Sequence, residues 1–382
     1  MKLTQKEMVT IGLILFTGII LRFLVTSFPH NFDFESYLIQ GEIVSEFGNI
    51  YARTSRYNYG PIYGIFMGIL YSIASLFGNS ITVFRYLIVA LLTLADIGIL
   101  AILVFKYKTI AMGAFLFLNP ISIIITGCHH QFDNIAILFA LIALVFVNDE
   151  ERINKKDMFF VAFLSVSLMT KHIAVFFLFW ILINRKMWFK RRIFYSMIPP
   201  VIFLLSFVPF FRGAGKEGII NNVFLYKSFN NFPLLMDQLK WFEVPEQFFT
   251  AIFVVLLLGC GIYFRKKDIG QSFFLYLVGI VAFSSAIANQ YLAIPLVGLA
   301  LLSKNVKYVY TLVGALHLIL SSDGLKLAIK WVGETPQEEH LYFQRIAISF
   351  NQHKSYGLAA IILLIIILKY TGLFAEKWKK SI

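Results

Sequence analysis

Apolar residues run in blocks along the whole chain, separated by short polar stretches, and several blocks approach the ~20 residues a helix needs to cross a bilayer. The blocks predict membrane helices over residues 8–28, 84–105, 109–126, 133–148, 158–171, 172–184, 193–211, 248–264, 271–288, 290–303, 308–322 and 355–370. The first block exceeds the ~7–15 apolar residues of a secretory signal and no small-x-small site follows it, so it reads as a retained span. The pairs meeting near Thr170 and Asn289 are short for full crossings. Short helices that meet at mid-depth are tolerated where they line a polar cavity. After the first span, residues 34–47 predict an amphipathic helix with Phe34, Tyr37, Leu38, Val44 and Phe47 on one face and Gly48 at its end. An apolar stretch follows at 62–77.

Composition turns these blocks into a class. The 382 residues are 59% hydrophobic and 14% charged, against about 45–50% and about 25% for soluble domains. That excess predicts an all-α polytopic membrane protein of about twelve spans. Basic residues cluster at Lys106 and Lys108, at Arg152, Lys155 and Lys156, at 185–192, at 265–267, at Lys304 and Lys307, and at 377–380. With these clusters and both termini in the cytoplasm, parity requires the stretch at 62–77 to lie on or dip into the outer leaflet. Apart from Arg22 inside the first span, 21 Lys and Arg then fall inside and 12 outside, the bias expected of that orientation. The net charge of +13 is thereby assigned to anionic lipid, and nucleic acid is excluded as a partner. Cys128 and Cys260 are too few and too far apart for a disulfide framework or a zinc motif.

On this topology four polar stretches reach the outer side: "NFDFESYLIQ" at 31–40, "GCHHQFDN" at 127–134, "MTKH" at 169–172 and "ANQY" at 288–291. Ionisable groups at membrane depth are costly and functional by default. Asp33 stands where the helix dipole favours an anion, either as an N-cap or as an acid of the site. Asp33 and Glu35 are two apart and diverge on a helix, which argues against a paired-carboxylate glycosidase; one acid faces the site and the other faces solvent or another partner. "YNYGPIYG" at 57–64, with Tyr59, gives a rigid Gly-Pro start to the interfacial helix, and Arg53 and Arg56 before it can reach phosphates. In "HHQFDN", His129, His130 and Asp133 could ligate a divalent metal, or these three with Gln131 could bond a polar substrate. Adjacent histidines do not converge on a helix, so the substrate is favoured over the metal and no cofactor is firmly expected. Lys171 and His172 offer cationic groups at a turn. Asp96, inside the second span, reads as a buried acceptor for a polar neighbour.

Taken in order, "FDFESY", "YNYGP", "LADIGIL", "FLNP", "HHQFDN", "LMTKH" and "ANQYLAIPLVGLAL" resemble the GT-C glycosyltransferases that use polyprenyl-phosphate sugars. The nearest types are the glucosyltransferases of N-glycan precursor assembly and the first mannosyltransferase of GPI-anchor assembly. The resemblance covers about residues 28–185 and 285–303. It implies a GT-C bundle whose first external loop, 29–83, holds an interfacial helix. The catalytic module is then 1–211, followed by a variable module, 212–382, with outer segments 212–247 and 324–354. It further implies that Asp33 is the base, that His129, Gln131, Phe132 and Asp133 form the polar turn, and that Lys171 is the family's lysine. His130, Arg56 or Arg345 would assist Lys171 at the phosphate, as His129 would. Glu35, Tyr59, His172, Gln290 and Tyr291 would line the substrate. Gln290 and Tyr291 look more like the mannosyltransferase group. One proline (Pro61) replaces two, His172 stands where glutamine is usual, and the glucosyltransferases' His-Glu-Lys turn is missing, which leaves sugar and acceptor open. The expected partners are a polyprenyl-phosphate-linked sugar, a glycan or glycolipid acceptor and the lipid bilayer. The competing readings are a secondary transporter or flippase for a lipid-linked sugar, and a surface-polysaccharide polymerase or ligase using a pyrophosphate-linked donor.

Overall fold

A computed structural model describes residues 3–28, 30–78, 80–148, 150–226, 243–245, 248–286, 288–320 and 352–371, and among them every regular element is helical. Arg345 and the segment 324–351 lie outside these residues, as do most of 227–247 and the basic tail. Among the described residues three helices are long and apolar enough to cross a membrane, or five if each of two bent pairs is one span; seven further apolar helices are shorter, at 10–17 residues.

The first helix, α1 (Gln5–Val25), starts at a capping box in which the Thr4 side chain accepts from the Glu7 amide. The chain then builds α2 (Asp33–Ser45), α3 (Ile50–Arg53) and α4 (Pro61–Ser75) before α5 (Ser80–Phe105). The apolar stretch predicted at 62–77 is therefore helical, and α2 lies along it so closely that a Cβ on Gly68 would meet Val44 Cγ1 at 2.3 Å. Phe34, Tyr37, Tyr63, Met67, Phe84 and Phe132 form the buried core beneath these helices.

α2 ends at Ser45, two residues sooner than its apolar pattern predicts. The Phe47 amide donates to the Val44 carbonyl at 3.0 Å and the Gly48 amide to the Ile43 carbonyl at 2.8 Å, a Schellman motif. Gly48 is crowded, since a Cβ there would meet the Ile43 oxygen at 2.8 Å. In that motif the left-handed position is the residue just after the cap, which is Phe47, at φ 56°, and its side chain is 99% exposed instead of joining the packed face. Phe47→Gly is expected to stabilise the protein by about 0.5–1 kcal/mol, because a side chain in the left-handed region carries a steric cost that glycine avoids. A higher thermal midpoint in detergent checks this.

The run predicted as one span over 109–126 is two helices, α6 (Ile110–Phe117) and α7 (Pro120–Gly127), bent by 49°. Asn119 causes the break: its Oδ1 accepts from the Ile121 amide at 3.0 Å, and Pro120 needs no amide partner at a first helical position. α8 (Asp133–Val145) packs along α9 (Lys155–Thr170), and the chain then bends by 113° into a short 3-10 turn (His172–Ala174) and α10 (Phe177–Ile183). α11 (Phe189–Leu205), α12 (Ala214–Gly218) and a π-helical turn (Ile219–Phe224) follow. The remaining helices are α13 (Phe249–Phe264), α14 (Ile269–Ala282), the 3-10 turn Asn289–Leu292, α15 (Leu296–Leu302), α16 (Val306–Leu320) and α17 (Gln352–Thr371). Their apolar faces share one core with α8, α9 and α10.

Among the described residues three ion pairs are buried, and two of them, Arg22–Asp96 and Arg191–Asp157, brace this bundle away from the polar turns. Arg22 of α1 reaches Asp96 of α5 through Nη2 at 2.9 Å and Nε at 3.0 Å, and its other donors go to Ser122 Oγ and the carbonyls of Gly18 and Phe117. Asp96 thus has the polar partner its place in an apolar helix demanded. Beyond the far end of α8, Arg191 donates to Asp157 Oδ1 at 2.6 Å and to the Asn148 carbonyl at 2.6 Å, and Tyr195 donates to the same Asp157 oxygen. Every donor of these arginines that is removed from water is answered, as burial requires.

Candidate functional site

Asp33 is the first residue of α2 and is half-buried. Its Oδ2 accepts from Gln131 Nε2 at 2.5 Å and from Asn31 Nδ2 at 3.4 Å. Glu35 points the other way, half-exposed, 3.6 Å from Arg56. Arg56 also donates to Ser36 Oγ at 2.9 Å and to the Phe32 carbonyl at 3.1 Å, and its guanidinium lies 3.9 Å from the Phe32 ring centre. The structure therefore uses Arg56 to fasten the start of α2.

The His-His-Gln turn closes α7 through its backbone: the His129 amide donates to Ile124 and the Gln131 amide to Ile125. His130 makes the reversal at φ 59°. Arg85, near the start of α5, donates from Nε to His130 Nε2 at 3.2 Å and from Nη2 to the Phe28 carbonyl. Burial, then the Arg85 charge, hold the His130 ring well below the usual histidine range, so it is neutral at pH 7. Arg85, which pairs with no carboxylate among the described residues, is the cation at this edge of the turn. His129 lies within electrostatic reach of His130 and of His317 on α16, whose Nε2 bonds Asn289 Oδ1 at 2.9 Å.

Asp133 opens α8 and Lys171 ends α9, and the two meet at 2.7 Å with both side chains buried. The ammonium also lies 4.8 Å from the Phe132 ring centre and 5.3 Å from that of Tyr59. Tyr63 stacks on Phe132 at 3.4 Å, and Tyr59 meets Phe132 edge-on at 4.9 Å and lies 5.9 Å from His172. Tyr59 is delivered by the Gly60–Pro61 step. A Cβ on Gly60 would meet the Met169 carbonyl oxygen at 2.2 Å, so only glycine lets this loop touch the end of α9. Gly60→Ala is expected to destabilise the protein by about 1–3 kcal/mol, because the obstacle is backbone and cannot rotate away. A fall in thermal midpoint would show it, and an unchanged midpoint would mean that the contact opens freely.

The fourth stretch joins through Tyr291, which is within electrostatic reach of Lys171, Tyr59 and Asp133, with Gln290 part-buried beside it on the same 3-10 turn. Asp33, Tyr59, Gln131, Asp133, Lys171, His172 and Tyr291 are thus brought together. Glu35 and Arg56 flank them, His129 and His130 lie behind, and Arg345 is outside the described residues.

Three residues belong here that sequence reasoning did not single out: Arg85, His317 and Tyr226. Tyr226, at the end of the π-helical turn, is 50% exposed and feels both Asp33 and Lys171; burial and then Asp33 raise its hydroxyl's pKa. An arginine at the end of an apolar run and a lone histidine near the end of another are the signals that could have marked the first two. Among the described residues no three His, Cys, Asp or Glu are grouped to hold a metal ion, and one oxygen of Asp133 and Nε2 of His130 are already engaged. No known protein family, curated protein or solved structure matches the chain.

Proposed function

We propose that the protein is an inverting membrane glycosyltransferase of the GT-C type. It would move glucose or mannose from a polyprenyl-phosphate carrier to a hydroxyl of an extracytoplasmic glycan or glycolipid. The reading rests chiefly on one observation: Asp33 is held by Gln131, two residues before the Asp133 that holds Lys171. Asp33 takes the acceptor's proton as that oxygen bonds to the anomeric carbon. The bond from that carbon to the phosphate oxygen breaks on the opposite face, the phosphate keeps the electron pair, and the configuration inverts. Lys171 has three N–H groups, so pairing with Asp133 leaves donors for the leaving phosphate.

In this reading the chain forms about twelve spans with both ends in the cytoplasm. The residues up to 211 make the catalytic module, those beyond it the variable one, and the short helices at Lys171 and Asn289 line the cavity. The two bent helix pairs also suit a transporter or flippase for a lipid-linked sugar. Membranes containing the protein, given radiolabelled polyprenyl-phosphate-glucose or -mannose and an extracted glycolipid fraction, separate the two. Labelled glycolipid supports transfer. Movement of intact donor with no covalent product supports transport and refutes the enzyme reading, and product only from a pyrophosphate-linked donor indicates a polymerase or ligase.

A further inference from the structure

Behind the site, between α5, α7, α8 and α15, lies a small cavity of about 30 Å³ whose polar lining is Asp96, Ser122, Thr126, Gln131, Asp133 and Asn134. It lies between the Arg22–Asp96 and Asp133–Lys171 ion pairs. On one side Asp96 is held by Arg22 and by Thr126 Oγ1 at 2.9 Å, and it accepts from Asn134 Nδ2 at 2.8 Å. On the other side Asp133 gives Oδ2 to Lys171. The second oxygen of Asp133, a residue only 2% exposed, is buried without a hydrogen-bond partner, and so is Asn134 Oδ1. Both residues line the cavity, and both atoms are acceptors.

Size and charge decide what answers them. The cavity exceeds the ~10–15 Å³ that one water requires. A bare cation would also suit two oxygen acceptors. However, Arg22 balances Asp96 and Lys171 balances Asp133, so a cation would leave a buried excess charge with nothing to offset it. Water is neutral and donates two hydrogens, one to each oxygen.

We propose that this cavity is an internal water site, and that Asn134, anchored by Asp96 and Arg22, is a positioning residue that fixes the Asp133–Lys171 pair through that water. The consequence for catalysis rests on the glycosyltransferase reading, whereas the water site itself does not. With Lys171 on one oxygen and water on the other, the Asp133 carboxylate cannot rotate, and the ammonium keeps one place beneath Tyr59 and Phe132.

The test is a high-resolution density map of the full chain in lipid nanodiscs, for the wild type and for Asn134→Leu, together with transfer kinetics. The wild-type map is expected to show a peak within hydrogen-bond distance of Asp133 Oδ1 and Asn134 Oδ1, unchanged when sodium is replaced by N-methylglucamine. Asn134→Leu is expected to lose the peak and to show Asp133 turned away from Lys171. Its kcat should fall about tenfold with donor KM unchanged, the scale of one lost hydrogen bond. Asn134→Ser keeps an oxygen acceptor and should return most of kcat, which a merely structural role would not predict. A dry cavity, a peak that follows sodium, or an Asn134→Leu protein whose Asp133–Lys171 geometry is unaltered overturns the proposal. If the wild type transfers no sugar, the glycosyltransferase reading fails, and the two maps still decide the water site and the positioning.

Discussion

Replacing Asp33 by asparagine lowers sugar transfer by about 10²–10⁴-fold, the usual contribution of a positioned general base. The fold is expected to survive, because Gln131 donates to Asp33 and an asparagine oxygen accepts that bond equally well. Only the ability to take a proton is removed. Glu35→Gln is the matched control: Glu35 is half-exposed and its 3.6 Å contact with Arg56 is a surface pair, so transfer should stay within about twofold. Initial rates with a labelled donor, at equal amounts of folded protein, give the comparison. An Asp33→Asn protein that turns over within tenfold of wild type would remove Asp33 from the mechanism.

Lys171→Met has the second large effect, and it reads out in stability as well as rate. The methionine leaves the buried Asp133 carboxylate uncompensated, which costs about 3–5 kcal/mol. Adding Asp133→Asn removes the stranded charge and should restore most of the thermal midpoint while transfer stays lost. That split separates the lysine's observed place as partner of Asp133 from its proposed role as cation for the leaving phosphate. Recovery of transfer by the double variant would mean that the ammonium is needed for folding alone.

The helices and the site were legible in the sequence to different depths. The apolar runs placed most helices to within a few residues, because burial in lipid or core selects the same residues. The break at Asn119–Pro120 was missed because it lies inside an unbroken apolar run, although an Asn-Pro step is itself a turn signal. Phe47 was assigned to the packed face because periodicity cannot register that the chain reverses at Phe47, one residue before Gly48. Asp33, Gln131, Asp133 and Lys171 were visible as polar residues between apolar runs, the placement that burial makes most costly. Their pairing was not visible, nor were the links from Arg22 to Asp96, Arg85 to His130 and His317 to Asn289. Those join residues 74, 45 and 28 positions apart, which only the packed chain brings together.

Because Asp133 begins α8 and Lys171 finishes α9, each charge already sits at the helix end of opposite partial charge. The amide-rich end of one helix steadies the carboxylate and the carbonyl-rich end of the other steadies the ammonium, before either feels its partner. Both ends are sealed from solvent, where mobile ions screen little. Raising ionic strength should therefore leave the Asp133–Lys171 pair intact while it weakens the exposed Arg53–Glu46 and Arg56–Glu35 contacts.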